Sequence, residues 1–216
     1  EGITHFRWEF VSECGGECRA SNGVSIMTRA LRDSPAEDAD VLVVSASWTP
    51  EDCSTAAIQS ALRQAARRNA TIAGIDTGAF IMAAAGLLKG RRATVHYEHM
   101  DAFQELYPET ELSENLYVFD GNRISCCGGA AATDFALHII QGSHGSALAN
   151  AAARYIFHPA LREAGPGPRA GDADLPVDGR DRLCLRLFQP GAFQPRLQGP
   201  LRPAADQGQD RRPDPV

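Results

Sequence analysis

Hydrophobic and polar positions switch period repeatedly along the first 160 residues, and the switches mark out alternating strands and helices. Phe6, Trp8 and Phe10 alternate with polar residues, as a strand does. Val41–Val44 is a short continuous apolar run of the kind buried on both faces of a parallel sheet. From Ser54 to Arg68, Ile58, Leu62, Ala65 and Ala66 recur at helical spacing, with Arg63, Arg67 and Arg68 on the other side. Thr71–Ile75 reads as the next strand and Gly78–Leu88 as a helix closed by Gly90. Ala93–Val95 is a short strand, and Tyr97–Leu106 a helix stopped by Pro108. Leu116–Phe119, Asp120-Gly121-Asn122 and Ile124–Cys126 have the marks of a tight-turned hairpin. Helices over Thr133–Ile140 and Ser146–Phe157 close the series. The expectation is an α/β fold: a mostly parallel sheet with helices on both faces.

The pattern stops near residue 163. Nine of the 13 prolines fall between residues 166 and 216, among many Arg, Gln and Gly, and no stretch there keeps a strand or helix period. Such a composition buries too little apolar surface to offset chain entropy. The expected organisation is one domain over residues 1–162 and a disordered tail over 163–216.

Charge and cysteines narrow the function. The formal net charge is −6, which argues against a surface built for nucleic acid. No apolar run approaches the roughly 18 to 20 residues that span a bilayer, and no signal peptide opens the chain, so a cytoplasmic location is expected. Cys14, Cys18, Cys53, Cys126, Cys127 and Cys184 fit no zinc spacing and read as reduced structural thiols. No metal or cofactor is expected. Lys89 is the single lysine beside 20 arginines, a bias of GC-rich coding sequence.

The segment Thr71–Phe80 carries the chemistry. A strand turns sharply into a helix, and Asp76 stands at the turn, as a nucleophile does at an elbow. Gly74 and Gly78 let the backbone pass closely, and sites in open α/β sheets lie at the carboxyl ends of strands. The plain alternative is that Asp76 only caps the helix that follows.

Four segments follow one another at short intervals: Gly74–Phe80 (GIDTGAF), Ala85–Gly90 (AGLLKG), Arg92–His99 (RATVHYEH) and Cys127–Asp134 (CGGAAATD). This run resembles the sensor domain of AraC-type transcription regulators, which carry a class I glutamine amidotransferase-like (ThiJ/PfpI-type) fold, a flavodoxin-like three-layer sandwich. Ala147–Tyr155 resembles the end of that domain, and the likeness covers roughly residues 6–162. In catalytic members the elbow residue is a cysteine paired with a histidine. Asp76 stands at the cysteine's position, with His96 in the segment after the next strand. A carboxylate is a poor nucleophile towards amides, so the resemblance implies a receptor and not a catalyst. It also implies a small amine, betaine or amino-acid-like effector, a homodimer, and DNA contact through a helix-turn-helix region.

On this reading Asp76 and the Trp48 ring would take a cationic group. The backbone of Thr77 and Gly78 would take a ligand carboxylate. His96 would stand at the rim, with Cys127 and Gly128 along the edge. His96 and His99 also read simply as a polar cluster at a helix start, and Cys126 and Cys127 as burial. The competing function is a hydrolase with Asp76 as covalent nucleophile and His96 activating water.

The resemblance carries two further expectations. Relatives have a strand and helix before the position of Glu1, so the start is expected to be truncated. Gln194–Ala204 is almost the string produced when a family-like ending, coded GC-rich, is read one frame off. The tail is therefore expected to be a frameshifted helix-turn-helix region, a genuine low-complexity linker being the alternative.

Overall fold

The structure, a computed structural model, describes residues 6–20, 22–34, 39–46, 48–159 and the strand at 183–188. Ten strands and six α-helices are found in these residues. They are β1 (Phe6–Ser12), β2 (Cys14–Arg19), β3 (Ser25–Ala30), β4 (Val41–Ala46), α1 (Pro50–Cys53), α2 (Ala56–Arg67) and β5 (Thr71–Asp76). Next come α3 (Gly78–Ala84), β6 (Arg92–Ala93), α4 (Met100–Leu106) and β7 (Glu111–Leu112). β8 (Tyr117–Asp120), β9 (Arg123–Cys126), α5 (Ala131–His144), α6 (Ser146–Tyr155) and β10 (Leu183–Phe188) complete the series.

Eight strands form one sheet in the order β2-β3-β1-β10-β4-β5-β9-β8. Only the pairs β2–β3 and β8–β9 are antiparallel; the other five are parallel. The expected mostly parallel α/β sheet is what forms.

Alternation along the central strands feeds two cores. Leu42, Val44 and Ile72 point to a layer made with Ile58, Leu62, Ile81, Met82 and Phe103. Val41, Val43 and Ala73 point the other way, to Tyr117, Phe119, Ile124, Phe135 and Ile139. The continuous apolar run of β4 exists because both faces are covered. Helix α2 buries Ile58, Ala61, Leu62 and Ala65, and its N-cap Thr55 accepts from the Ile58 N–H. Helix α6 packs on α5. Beyond it His158 Nε2 lies 2.8 Å from Oδ1 of the fully buried Asp134, pinning the chain after α6 to α5.

Three local differences have physical causes. Helix α3 ends at Ala84, short of the expected Leu88, because Gly86 takes φ +78. The Gly86 and Leu87 N–H groups then cap the carbonyls of Ala83 and Met82, a Schellman ending. The expected helix from Tyr97 begins as a single 3-10 turn over Tyr97–His99 before α4. The β2–β3 hairpin has no alternating signature, because Gly15 and Gly16 interrupt it. A side chain at Gly15 would meet the Ala30 backbone nitrogen at 2.6 Å.

The tail differs more. The expectation of a tail without regular structure does not hold for Leu183–Phe188, which forms β10 between β1 and β4, parallel to both. Leu-Cys-Leu-Arg-Leu-Phe is a mostly apolar run, and the slot between β1 and β4 offers backbone hydrogen-bonding partners on both sides. The other tail residues, and with them the expected frameshifted region, lie outside the described residues.

Candidate functional site

The register of the sheet brings the carboxyl ends of β4, β5 and β9 to one edge: Ala46 lies beside Asp76 and Ile75 beside Cys126. Asp76 ends β5 with φ +61, in the left-handed region. Few side chains tolerate that conformation, Asp and Asn among them. Two glycines make the turn possible. A Cβ at Gly78 would lie 2.2 Å from the Val44 carbonyl oxygen, and one at Gly74 would lie 2.8 Å from the Ala79 nitrogen. The chain from β9 then crosses the elbow at Gly128 (φ +85), where a Cβ would meet the Asp76 Cβ at 3.0 Å.

Asp76 does not cap α3. Thr77 is the N-cap residue and makes no side-chain capping bond, while its backbone N–H donates to the Asp76 carboxylate. Burial raises the Asp76 pKa above the ordinary carboxylate value. The charges of His96 and His99 and the Thr77 N–H bond oppose that shift, and the Glu98 carboxylate adds to it. His96 Nδ1 accepts from the Glu98 N–H at 3.4 Å and lies 3.8 Å from its carboxylate. The result is a half-buried carboxyl group within electrostatic reach of two imidazoles.

Asp76, Thr77, Gly78 and Gly128 come together at the elbow, and His96 stands within electrostatic reach of it. Cys127 does not line it in the same way: it packs against the Tyr117–Phe135 core, and its thiol donates to the Gly128 carbonyl at 4.0 Å. Its neighbour Cys126 is buried, which pushes that thiol to about 12 and makes it inert.

Trp48 belongs to a neighbouring feature. With Phe80, His99, Leu106 and Tyr107 it lines a groove of about 520 Å³ between α1, α3 and α4, and Asp76 is not among the lining residues. His99 links the two, its ring centroid 6.1 Å from those of Trp48, Phe80 and His96. Sequence reasoning missed Phe80 and Tyr107. The i, i+4 pairs Phe80/Ala84 and Phe103/Tyr107 were the available signal, but core and groove positions share that spacing. Among the described residues no group of three or more His, Cys, Asp or Glu side chains is placed to hold a metal ion. No described helix is long and apolar enough to cross a membrane.

Comparison with known proteins fits this geometry. The HTH-type transcriptional regulator CdhR of Pseudomonas aeruginosa is 42% identical over 144 residues, 67% of this chain and 43% of CdhR. The HTH-type transcriptional regulator GlxA of Rhizobium meliloti is 34% identical over 160 residues, 74% of this chain and 49% of GlxA. The chain thus spans less than half the length of these curated relatives. A crystal structure of an AraC family transcriptional regulator from Pseudomonas putida shares the fold, with TM-score 0.61 at 20% identity over 70% of this chain and 81% of that one. The DJ-1/PfpI family model matches residues 4–142, well over half of the sequence. By that match, and by the elbow at the end of β5, the chain belongs to the DJ-1/PfpI family.

Proposed function

We propose that this domain is the small-molecule receptor of a transcription regulator, with Asp76 holding a cationic or zwitterionic effector instead of attacking a substrate. The observation that carries this is the carboxyl group itself: Asp76 occupies the strained elbow position, half-buried, within electrostatic reach of His96 and His99. A carboxylate attacks amides less readily than a thiolate does, and a half-buried one gains from an ammonium group that replaces the hydration it has lost. Regulators among the relatives support the sensing role. The whole protein would act as a dimer and reach DNA through a helix-turn-helix region outside this domain.

Calorimetry with trimethylammonium carboxylates, comparing the native chain with Asp76→Asn, tests the reading. Asparagine keeps the size and tolerates the left-handed backbone, so only the charge is lost. Binding should weaken at least about tenfold, the equivalent of roughly 1.4 kcal/mol. Equal binding by both proteins would refute the role of Asp76. Hydrolysis of an ester, amide or haloalkane that disappears in Asp76→Asn would instead favour the hydrolase.

A further inference from the structure

We infer that the groove between α1, α3 and α4 is a second binding site, for an organic ammonium ion with an aryl or branched alkyl body. This goes beyond the receptor reading of Asp76 and does not depend on it, because the groove is lined without Asp76.

Size comes first. At about 520 Å³ the groove falls in the range of roughly 300–1,000 Å³ typical of small-molecule pockets. Its walls are aromatic. Phe80 and Tyr107 stand edge to face with centroids 6.1 Å apart, and Trp48, also in the lining, lies 6.1 Å from the His99 ring. Two large side chains on this groove remain in water, Trp48 at 58% exposure and Leu106 at 63%. Single exposed apolar residues are ordinary. Two of them on one concave, aromatic-walled surface leave apolar area that an occupant would remove from water.

Charge then selects the occupant. The chain holds 20 arginines and one lysine, yet among the described residues lining the groove the only one with a formal charge is Glu51. An anionic ligand would find no cationic partner in that lining other than a protonated His99. An ammonium ion would find a carboxylate and an indole ring in the same lining, and the quadrupole of the ring attracts cations within about 6 Å of its centroid. The apolar body would lie on Phe80, Leu106 and Tyr107. His99 borders the groove on the side nearer the elbow, its ring centroid 6.1 Å from that of His96.

The test titrates the full chain with benzyltrimethylammonium, using benzyl alcohol as the uncharged control of the same aryl body. Binding is expected for the cation, at least about tenfold tighter than for the alcohol, as one desolvated cation–π contact allows. Trp48→Ala and Glu51→Gln should each weaken the cation by about threefold to tenfold, while Asp76→Asn leaves it within about twofold. Both groove substitutions are at exposed positions, and Glu51→Gln keeps the test open if Trp48→Ala folds poorly. Affinity unchanged in both groove variants overturns the inference. So does loss of binding in Asp76→Asn alone, which would assign the cation to the elbow and leave the receptor reading intact. No binding of the cation at millimolar concentration overturns it as well.

Discussion

The elbow and the groove lie side by side on one layer of the domain, joined by His99, and they are built from opposite materials. The elbow is a backbone structure. Gly74, Gly78 and Gly128 leave no room for a Cβ, and Asp76 is held at φ +61 between them. The groove is a side-chain structure, shaped by Phe80 and Leu106 on helices, by Tyr107 at the end of α4 and by Trp48 just before α1. A site made of backbone is rigid and fails when atoms are added. A site made of rings at a surface tolerates change in the fold but loses its ligand when the rings go. The same kind of substitution should therefore have opposite consequences in the two places.

The largest effect should come from Gly78→Ala. The added methyl would sit 2.2 Å from the Val44 carbonyl oxygen, and a strand backbone at the centre of a sheet has nowhere to move. We expect a loss of about 3 kcal/mol or more in urea unfolding, or failure to fold. A loss under about 1 kcal/mol would show that the elbow has slack and is not the rigid half of the comparison. Next comes Asp76→Val. A β-branched residue in the left-handed region costs about 1–3 kcal/mol, whereas Asp76→Asn should not incur that strain. Equal destabilisation by valine and asparagine would mean that backbone strain is not what Asp76 manages.

Much of this was legible in the sequence, and the limits are instructive. Val41–Val44 and the helix through Ile58 and Leu62 announced themselves because each buries a face at a fixed period. The hairpin at Gly121 was legible because the turn imposes its own residue choice; Gly121 takes φ +57. At the site, Asp76, Gly74 and Gly78 were readable because a sharp strand-to-helix turn restricts residue type. Gly128 was legible only as a glycine along the pocket edge; that a Cβ there would meet Asp76 is a contact between β5 and the loop after β9 that no single segment records. The groove was not. Trp48, Phe80 and Tyr107 are far apart in sequence and meet only when α1, α3 and α4 pack, which no single-segment period records. Strand β10 was hidden for a related reason. Leu183–Phe188 lies in a Pro- and Gly-rich stretch, and its strand character depends on partners found in β1 and β4.

A smaller effect concerns pH. Burial raises the Asp76 pKa in the folded protein above its unfolded value, so ionising it costs stability. The contribution of the neutral carboxyl group is fully present below the unfolded value and is lost as pH rises through the folded value. Chemical unfolding of the native chain and Asp76→Asn should therefore diverge as pH rises from the ordinary aspartate range towards neutrality, with the asparagine variant gaining. A constant difference across that window would mean that the carboxyl group is well solvated. The smallest effect belongs to the groove. Trp48→Ala at an exposed position should change stability by no more than about 0.5 kcal/mol, even though it removes the largest ring of the groove. A larger loss in thermal unfolding would make Trp48 a structural residue.

The most direct measurement follows the Asp76 carboxyl carbon by NMR as pH is varied, without and with a saturating trimethylammonium carboxylate. A cation seated against the carboxylate favours the charged form, so the titration midpoint, raised by burial in the free protein, should fall when the compound binds. A midpoint that stays in place while calorimetry shows the compound bound would contradict the account: the effector would then sit elsewhere, and the acidic elbow would not be its receptor.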